Sequence, residues 1–592
     1  MPQALAASPN PVGLSFFIIE FCLTLIAVAL ALCWPQIGAV FFSRIESLFS
    51  QLARRRAWSI LAAGAFPCVL RVLLLPVMPI PRPWIQDDFS FLLAADTFAH
   101  GRLTNPTPAM WTHFESFHIT MQPTYMSMYF AAQGLFMAAG QVLAGHPWWG
   151  VWASCGLMCA ALCWMLQAWL PPGWALLGAL VAGVRLALFS YWMNTYTGGA
   201  VSAIGGALVL GALPRIRMNF RARDFFWMAM GLVLLANSRP YEGLLVSVPA
   251  LIAVVWWTYK RSRLPTTVLI RRIAPAGALL ALTLAFMAYY DYRVFGNPLT
   301  LPYTVNRHQY ASAPHFIFQS AHPEPVYRHA AMRNFYTGWE LKTFRDEVGS
   351  LAGFVDANQD KLGRFWIFFW NFALIPPLIM LPRSLRDRRI RLLALTTGLL
   401  AVGLLIETFF IPHYLAPATA LMYAILLQCM RHLRAKGPSG LFLVRAIPVV
   451  CIVLAGARIA AQPLHITLQP ALKQSGSWDG GDPSIGFERA RVESELETQP
   501  GPQLAIVRYS QDHLYPEWVY NGSDIDGSKV IWAREMSPAS DYELLNHYKN
   551  RTAWLVEPDL NPPRVTLLMA SETHSAMNTS AIQVTGQARD SE

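Results

Sequence analysis

The sequence predicts a polytopic α-helical membrane protein that carries a small soluble α/β domain at its C-terminal end. Three observations lead there. Of the 592 residues, 54% are hydrophobic and only 14% charged, whereas a soluble globular chain carries about 25% charge. Apolar runs of spanning length, or slightly short of it, recur as far as residue 460. Basic residues fall in short clusters between those runs: Arg54–Arg56, Arg215 to Arg223, Lys260 to Arg272, Arg383 to Arg391 and Arg431 to Lys436. That is the positive-inside pattern of cytoplasmic loops, so the formal net charge of +11 does not call for a nucleic-acid partner.

The runs lie near 12–34, 58–80, 148–169, 174–192, 199–213, 225–237, 243–258, 274–292, 364–381, 391–410, 415–430 and 440–460, about twelve spans. Tyr125–Ala144 is a thirteenth apolar stretch, and the basic clusters decide against counting it. Arg54–Arg56 inside puts Asp87 and Asp88 outside, and Arg215–Arg223 inside then requires an odd number of crossings between them. Tyr125–Ala144 is therefore expected as a helix lying on the outer face, where Gln133 and Gln141 suit it. Both termini are expected outside. No cleavable leader is expected, because the first run follows an uncharged, proline-containing segment and is too long.

This topology divides the chain into three parts. Residues 1–57 form an extra N-terminal span and a basic cytoplasmic loop. Residues 58–460 form the main membrane domain, with outer loops 81–147 and 293–363. Residues 461–592 form the extracytoplasmic α/β domain. In that tail, Phe487–Thr498 reads as a helix, Leu504–Tyr509, Lys529–Trp532 and Thr552–Val556 read as strands, and Ser540–Glu543 reads as a capping box. All eight cysteines lie in apolar runs, so no disulfide framework or cysteine zinc site is expected. Asp524-Ile525-Asp526 reads as a surface turn, and Asn521, Asn550 and Asn578 head N-x-S/T triplets.

Nearly every polar constellation falls on the outer face. Asp87 and Asp88 follow directly on the run Trp58–Ile80, before an expected helix Phe89–Ala99. An acidic pair there can take a proton or hold a cation while a lipid-borne partner lies alongside. It can equally serve as a helix cap and first-turn acid. Loop 81–147 adds Asp96, Glu115 and His118. No metal-binding spacing occurs, so no cofactor is encoded by motif, and a divalent metal ion is the one group these acids and histidines suit. The turn NSRPYEG places Arg239 and Glu242 at the outer end of a span, and the turn IPHYLAP places His413 and Tyr414 at another. A planar guanidinium fork fits a phosphate. Loop 293–363 brings Arg307, Arg328 and Lys342 beside aromatics, a mixture suited to a ligand that joins anion and sugar. Few charges lie within spans, which disfavours a secondary transporter, whose sites lie near the midplane.

The segment DDFSFLLAADTFAHG resembles the first-outer-loop signature D-[DE]-x-x-[YF] of the GT-C fold glycosyltransferases. The branch is the one that holds protein mannosyltransferases, lipid A aminoarabinose transferases and rhizobial lipopolysaccharide core transferases. QPTYMSMYFAAQGLFMAAGQVLAGHPWW resembles their juxtamembrane helix, and PHYLAP their late outer motif; the likeness covers roughly residues 55–430. The resemblance implies a GT-C fold and a polyprenyl-phosphate sugar donor. It also implies inverting transfer to a glycan, lipid or protein acceptor on the outer side of the bilayer, in a bacterial inner membrane. It casts Asp87 as base or metal-linked acid, with Asp88 its neighbour. Arg239, His413 and Tyr414, with Arg307 and Arg328, are then the candidates for the donor phosphate, and Asp96, Glu115, His118, Glu242 and Lys342 the remaining outer-face candidates. One departure is NTYTGGAVSA, where Asn194 and glycines stand in place of a further aspartate. A ligase or polymerase of lipid-linked oligosaccharides, and a transporter of lipid-linked sugars, are the alternatives.

Overall fold

The computed structural model describes residues 14–260, 265–461, 463–464, 466, 468–469, 486–513 and 516–568. Asn578 and the start of the expected tail domain lie outside the described residues.

Among the described residues, eight helices are long and apolar enough to cross a membrane: Phe16–Cys33, Arg56–Leu73, Trp148–Trp169, Ala200–Asn219, Pro240–Lys260, Thr266–Phe295, Pro412–Arg434 and Pro438–Ala461. The other expected runs form shorter pieces. Pro172–Leu188 and Arg391–Leu405 are apolar but short, and Ala222–Ala236 has 15 residues. The run 364–381 is broken. Leu351–Phe369 stops before Asn371, which has φ 47°, and two short turns follow at Ile375–Leu378 and Leu381–Leu385. Pro376, Pro377 and Pro382 lack the N–H that a continuous helix needs there.

One helix had no counterpart in the apolar pattern. Ala39–Arg54 leaves Val40, Phe41, Ile45, Leu48 and Leu52 exposed. That spacing puts them on one face, as in a helix lying along a membrane surface.

The core forms where Trp148–Trp169 meets Arg56–Leu73 and Ala200–Asn219. Cys155, Cys159 and Cys163 are fully buried along one face, as small packing groups. The sequence Gly206–Pro417 permits a very close crossing: a Cβ on Gly206 would overlap the Pro417 carbonyl. This crossing seats the 3₁₀ turn Pro412–Ala418, which carries His413, against the central helix.

Loop 81–147 is folded throughout. Gln86–Ala99 is a helix, so Asp87 and Asp88 stand in its first turn. A 3₁₀ turn at Trp111–Phe114 and an antiparallel pairing of Ile119–Thr120 with Met126–Ser127 follow. Tyr125–Ala144 resolves into that hairpin strand and a 14-residue helix, Ala131–Ala144, packed on Gln86–Ala99 and Trp148–Trp169. Loop 293–363 is likewise mostly helical, with Pro302–Tyr310 and the stretch from Ala330 to Val348.

In the tail, the helix Phe487–Thr498 forms as expected. The strand order is Val530–Arg534, Gln503–Val507, Thr552–Glu557, Arg564–Leu567, parallel across the first three and antiparallel at the last. The second helix is capped by Ser537, whose Oγ accepts the Ser540 amide, so the capping box lies inside the helix Pro538–His547. The tail does not stand apart from the first outer loop. Leu93, Phe114, Ile119, Met121 and Tyr125 share one hydrophobic core with Leu504, Ile506, Ile531 and Leu544.

Candidate functional site

Successive residues on an α-helix point about 100° apart, and this separates the two aspartates. Asp87 keeps 15% of its side chain exposed. Its Oδ1 lies 2.6 Å from His118 Nδ1 and accepts the Tyr129 hydroxyl. A carboxylate oxygen only accepts, so Nδ1 carries the hydrogen. Burial would push the Asp87 carboxyl up, but His118 and Tyr129 outweigh it and hold the group below the usual carboxylate range. Asp88 is fully buried, and its Oδ1 accepts the Tyr196 amide at 2.9 Å. Burial, with the charge of Asp87 adding to it, pushes Asp88 up to about 7. The pair thus splits into an anion held by His118 and Tyr129 and a buried acid that keeps its proton up to about neutral pH, an arrangement known from other paired carboxylates.

His118 is fixed by backbone as well as side chain. It has φ 59°, a conformation uncommon for a residue with a Cβ and one that often marks functional positions. Its carbonyl accepts the Ser90 hydroxyl at 2.6 Å and the Met128 amide at 3.1 Å. Tyr129 is stacked on Phe91, with ring centroids 4.3 Å apart.

The turns between spans supply the rest of the wall. The Arg239 guanidinium lies 4.0 Å over the ring of Tyr414. Its nearest carboxylate oxygen among the described residues is Glu242 Oε1, at 4.0 Å. Burial opposes the Arg239 charge, but Glu242 and Tyr414 outweigh it and hold the guanidinium protonated. The Tyr191 hydroxyl accepts the His413 amide at 2.8 Å and lies 3.0 Å from His413 Nδ1. Tyr129 and Tyr414 are within electrostatic reach of both Asp87 and Arg239, and His413 of Asp87. The outer loop and two distant turns therefore converge on one wall.

Behind Arg239 lies a chain that sequence reasoning did not assemble. His315 Nε2 is 2.9 Å from Glu407 Oε1, and Tyr303 hydroxyl is 3.3 Å from His315 Nδ1. Burial pushes His315 down to about 4. His315 is then uncharged near neutral pH. Glu407 sits at a span end in the sequence, which gives no sign of its partner 92 residues away. Tyr129 carried no signal beyond being one aromatic among many.

Other expected site residues are committed elsewhere. Arg307 makes two bonds to Glu340, at 2.8 and 2.9 Å, and one to the Ala313 carbonyl. Arg328 pairs with Glu115 at 3.2 Å and covers Trp111. Glu115 is buried and also accepts the Tyr310 hydroxyl. Asp96 accepts the Ser523 amide and the Gln141 side chain, tying the loop to the tail. Lys342 is exposed, 3.9 Å from Asp346. In the tail, Asp524 and Asp526 hold a turn and the Tyr548 hydroxyl.

No donor set for a divalent metal is gathered among the described residues. Asp87 Oδ1 is taken by two hydrogen-bond donors, Asp88 points into the core, and among the described residues no three His, Cys, Asp or Glu groups gather closely enough to hold an ion.

No protein-family model and no curated protein matches the chain. Among solved structures, it is similar to the Archaeoglobus fulgidus oligosaccharyltransferase in complex with Zn and sulfate, with 11% identity and a TM-score of 0.39 over 84% of this chain and 67% of that one. It is similar also to the oligosaccharyltransferase AglB of the same archaeon in complex with an inhibitory peptide and a dolichol-phosphate, with 11% identity and a TM-score of 0.40 over 84% and 69%.

Proposed function

We propose that this chain is a GT-C-type membrane glycosyltransferase that moves a sugar from a polyprenyl-phosphate donor to an acceptor on the extracytoplasmic face, with inversion at C1. The observation that carries the reading is the pairing, on one wall, of a hydrogen-bonded carboxylate with an incompletely neutralised guanidinium. Asp87 is held by His118 and Tyr129, and Arg239 is stacked on Tyr414 with no closer carboxylate than Glu242. The motif DDFSFLLAADTFAHG supports the same assignment.

In this mechanism the acceptor hydroxyl or amine attacks C1 from the face opposite the phosphate. Its proton passes to Asp87. The C1–O bond breaks and its electron pair leaves with the polyprenyl phosphate. Arg239 stabilises the negative charge that develops there, with His413 and Tyr414 shaping the same wall. Such preorganised stabilisation is worth about 3 kcal/mol per donor. The bilayer places the lipid donor, and the folded loop 293–363 excludes water that would hydrolyse it. The sheltering twelve-span arrangement, with the tail outside in a bacterial inner membrane, belongs to this reading.

The test is Asp87→Asn in membranes supplied with labelled polyprenyl-phosphate sugar. We expect transfer to fall by about two orders of magnitude or more. Transfer at the parental rate would remove Asp87 from the mechanism. Product size distinguishes single-sugar transfer from ligation of whole glycans.

A further inference from the structure

A polar cleft lies far from Asp87. A cleft of about 540 Å³ is lined by Trp174, Asp387, Arg389, Gln428, Arg431, His432 and Arg434. It sits at the far end of the helix whose first turn carries His413. At 1.5 Å per residue the 21 positions from His413 to Arg434 span about 30 Å, one bilayer core. This places the cleft at the opposite membrane surface, among the clusters that read as cytoplasmic.

Its charge is unbalanced. Asp387 is engaged by neutral groups, accepting the Gln428 amide at 2.7 Å and the Arg389 backbone amide at 2.9 Å. Arg431 donates to Gln428 Oε1 at 2.8 Å. Among the described residues, neither Arg389 nor Arg431 has a carboxylate within 4.0 Å, and Arg434 alone is paired, to Glu46. The sequence around the cleft, Arg383-Ser384-Leu385-Arg386-Asp387-Arg388-Arg389-Ile390-Arg391, adds further positive charge.

The surroundings select among anions. Glu46 belongs to the amphipathic helix Ala39–Arg54, and the same helix packs against Pro172–Ala182, which carries Trp174. The exposed face of Val40, Phe41, Ile45, Leu48 and Leu52 fixes this neighbourhood at the depth where lipid headgroups meet acyl chains. A tryptophan in the lining suits that depth as well.

We propose that this cleft binds the phosphate of an anionic phospholipid headgroup at the cytoplasmic surface, with Arg389 and Arg431 as its principal contacts. The chemistry recognised is a phosphate ester, which a lipid or a soluble phosphate could present. The interfacial helix beside the cleft favours the lipid.

The full chain in neutral detergent would be titrated with phosphatidylglycerol, phosphatidylcholine or inorganic phosphate. Native mass spectrometry would count bound molecules, and the thermal midpoint would be followed. Phosphatidylglycerol should bind and raise the midpoint where phosphatidylcholine and phosphate do not. Arg389→Gln and Arg431→Gln should each weaken it about fivefold, and Arg431→Lys should retain most of the binding. Salt at 0.5 M should weaken binding to the parent chain by screening, which tests the idea even if a variant folds poorly. Equal binding of phosphatidylcholine, or no change in the double variant or in salt, would overturn the proposal. Inorganic phosphate binding as tightly as the lipid would overturn the lipid assignment in favour of a soluble anion.

Discussion

The guanidinium of Arg239 lies over the ring of Tyr414, 4.0 Å from its centre. The two residues come from turns 175 positions apart, and the close crossing of Gly206 on Pro417 brings the second turn into place. Stacking fixes the plane of the fork while leaving its N–H groups available, which a lysine cannot reproduce. We predict that Arg239→Lys and Arg239→Gln both lower the rate of sugar transfer by about 10²-fold, in line with the loss of one transition-state donor. Single-turnover transfer from a saturating lipid-linked donor separates this from weaker donor binding. A defect confined to KM would place Arg239 in ground-state binding alone.

The Asp87–His118 contact predicts a shift in pH dependence. Burial pushes the Asp87 carboxyl up, and His118 and Tyr129 hold it down. Replacing His118 by Gln removes the imidazole that holds the carboxylate and leaves the burial. The acid limb of the transfer profile should then move to higher pH, because Asp87 must stay ionised to accept a proton. Tyr129→Phe should move it the same way by less. An acid limb that stays in place in both variants would show that another group limits the rate there.

Asp88 predicts a stability effect of its own. Its carboxyl is pushed up to about 7 from an ordinary value of 3.8. The protonated form is preferred in the fold, so its contribution is fully present below pH 3.8 and is lost as pH rises through about 7. Asparagine keeps an oxygen for the Tyr196 amide and carries no charge. Asp88→Asn should therefore flatten the fall in thermal midpoint between pH 5 and pH 8 that the parent chain shows. A parallel fall in both chains would rule out Asp88 as its source.

What was legible in the sequence follows from how local each signal is. The helix Phe487–Thr498 coincides with its expected bounds and three tail strands end within two residues of theirs, because periodicity and turn residues set them. The acidic doublet stood out because an apolar run precedes it. Its division of labour did not, since only the core around Asp88 and the hydroxyl of Tyr129, 42 residues away, distinguish the two carboxyls. Arg307 and Arg328 looked free in sequence because their partners, Glu340 and Glu115, lie 33 and 213 residues off. The helix Ala39–Arg54 was hidden by the basic triplet at its end, and the prolines after Phe369 broke a run that hydropathy reads as continuous. Tail and first loop read as separate domains because a shared core such as Phe114 against Tyr548 leaves no mark in either segment alone.

That shared core makes Arg534 the residue to challenge. It is fully buried, reaches Glu517 through Nη2, and donates from Nε to the Glu115 carbonyl at 2.7 Å. His113 Nδ1 in turn lies 3.0 Å from the Arg534 carbonyl. Arg534→Ala would strand the buried Glu517 carboxylate, a loss of about 3–5 kcal/mol. Because the tail and the hairpin Ile119–Ser127 pack together, amide exchange should accelerate in both the strand Gln503–Val507 and that hairpin. Arg328→Ala removes a 44% exposed side chain and leaves the buried Glu115 its Tyr310 hydroxyl, so it should cost less than Arg534→Ala and leave both protected. His118 sits in the same hairpin, so transfer should fall in Arg534→Ala although the residue lies outside the reacting wall. Faster exchange in the tail alone, with the hairpin still protected and transfer intact, would show that the two segments fold independently.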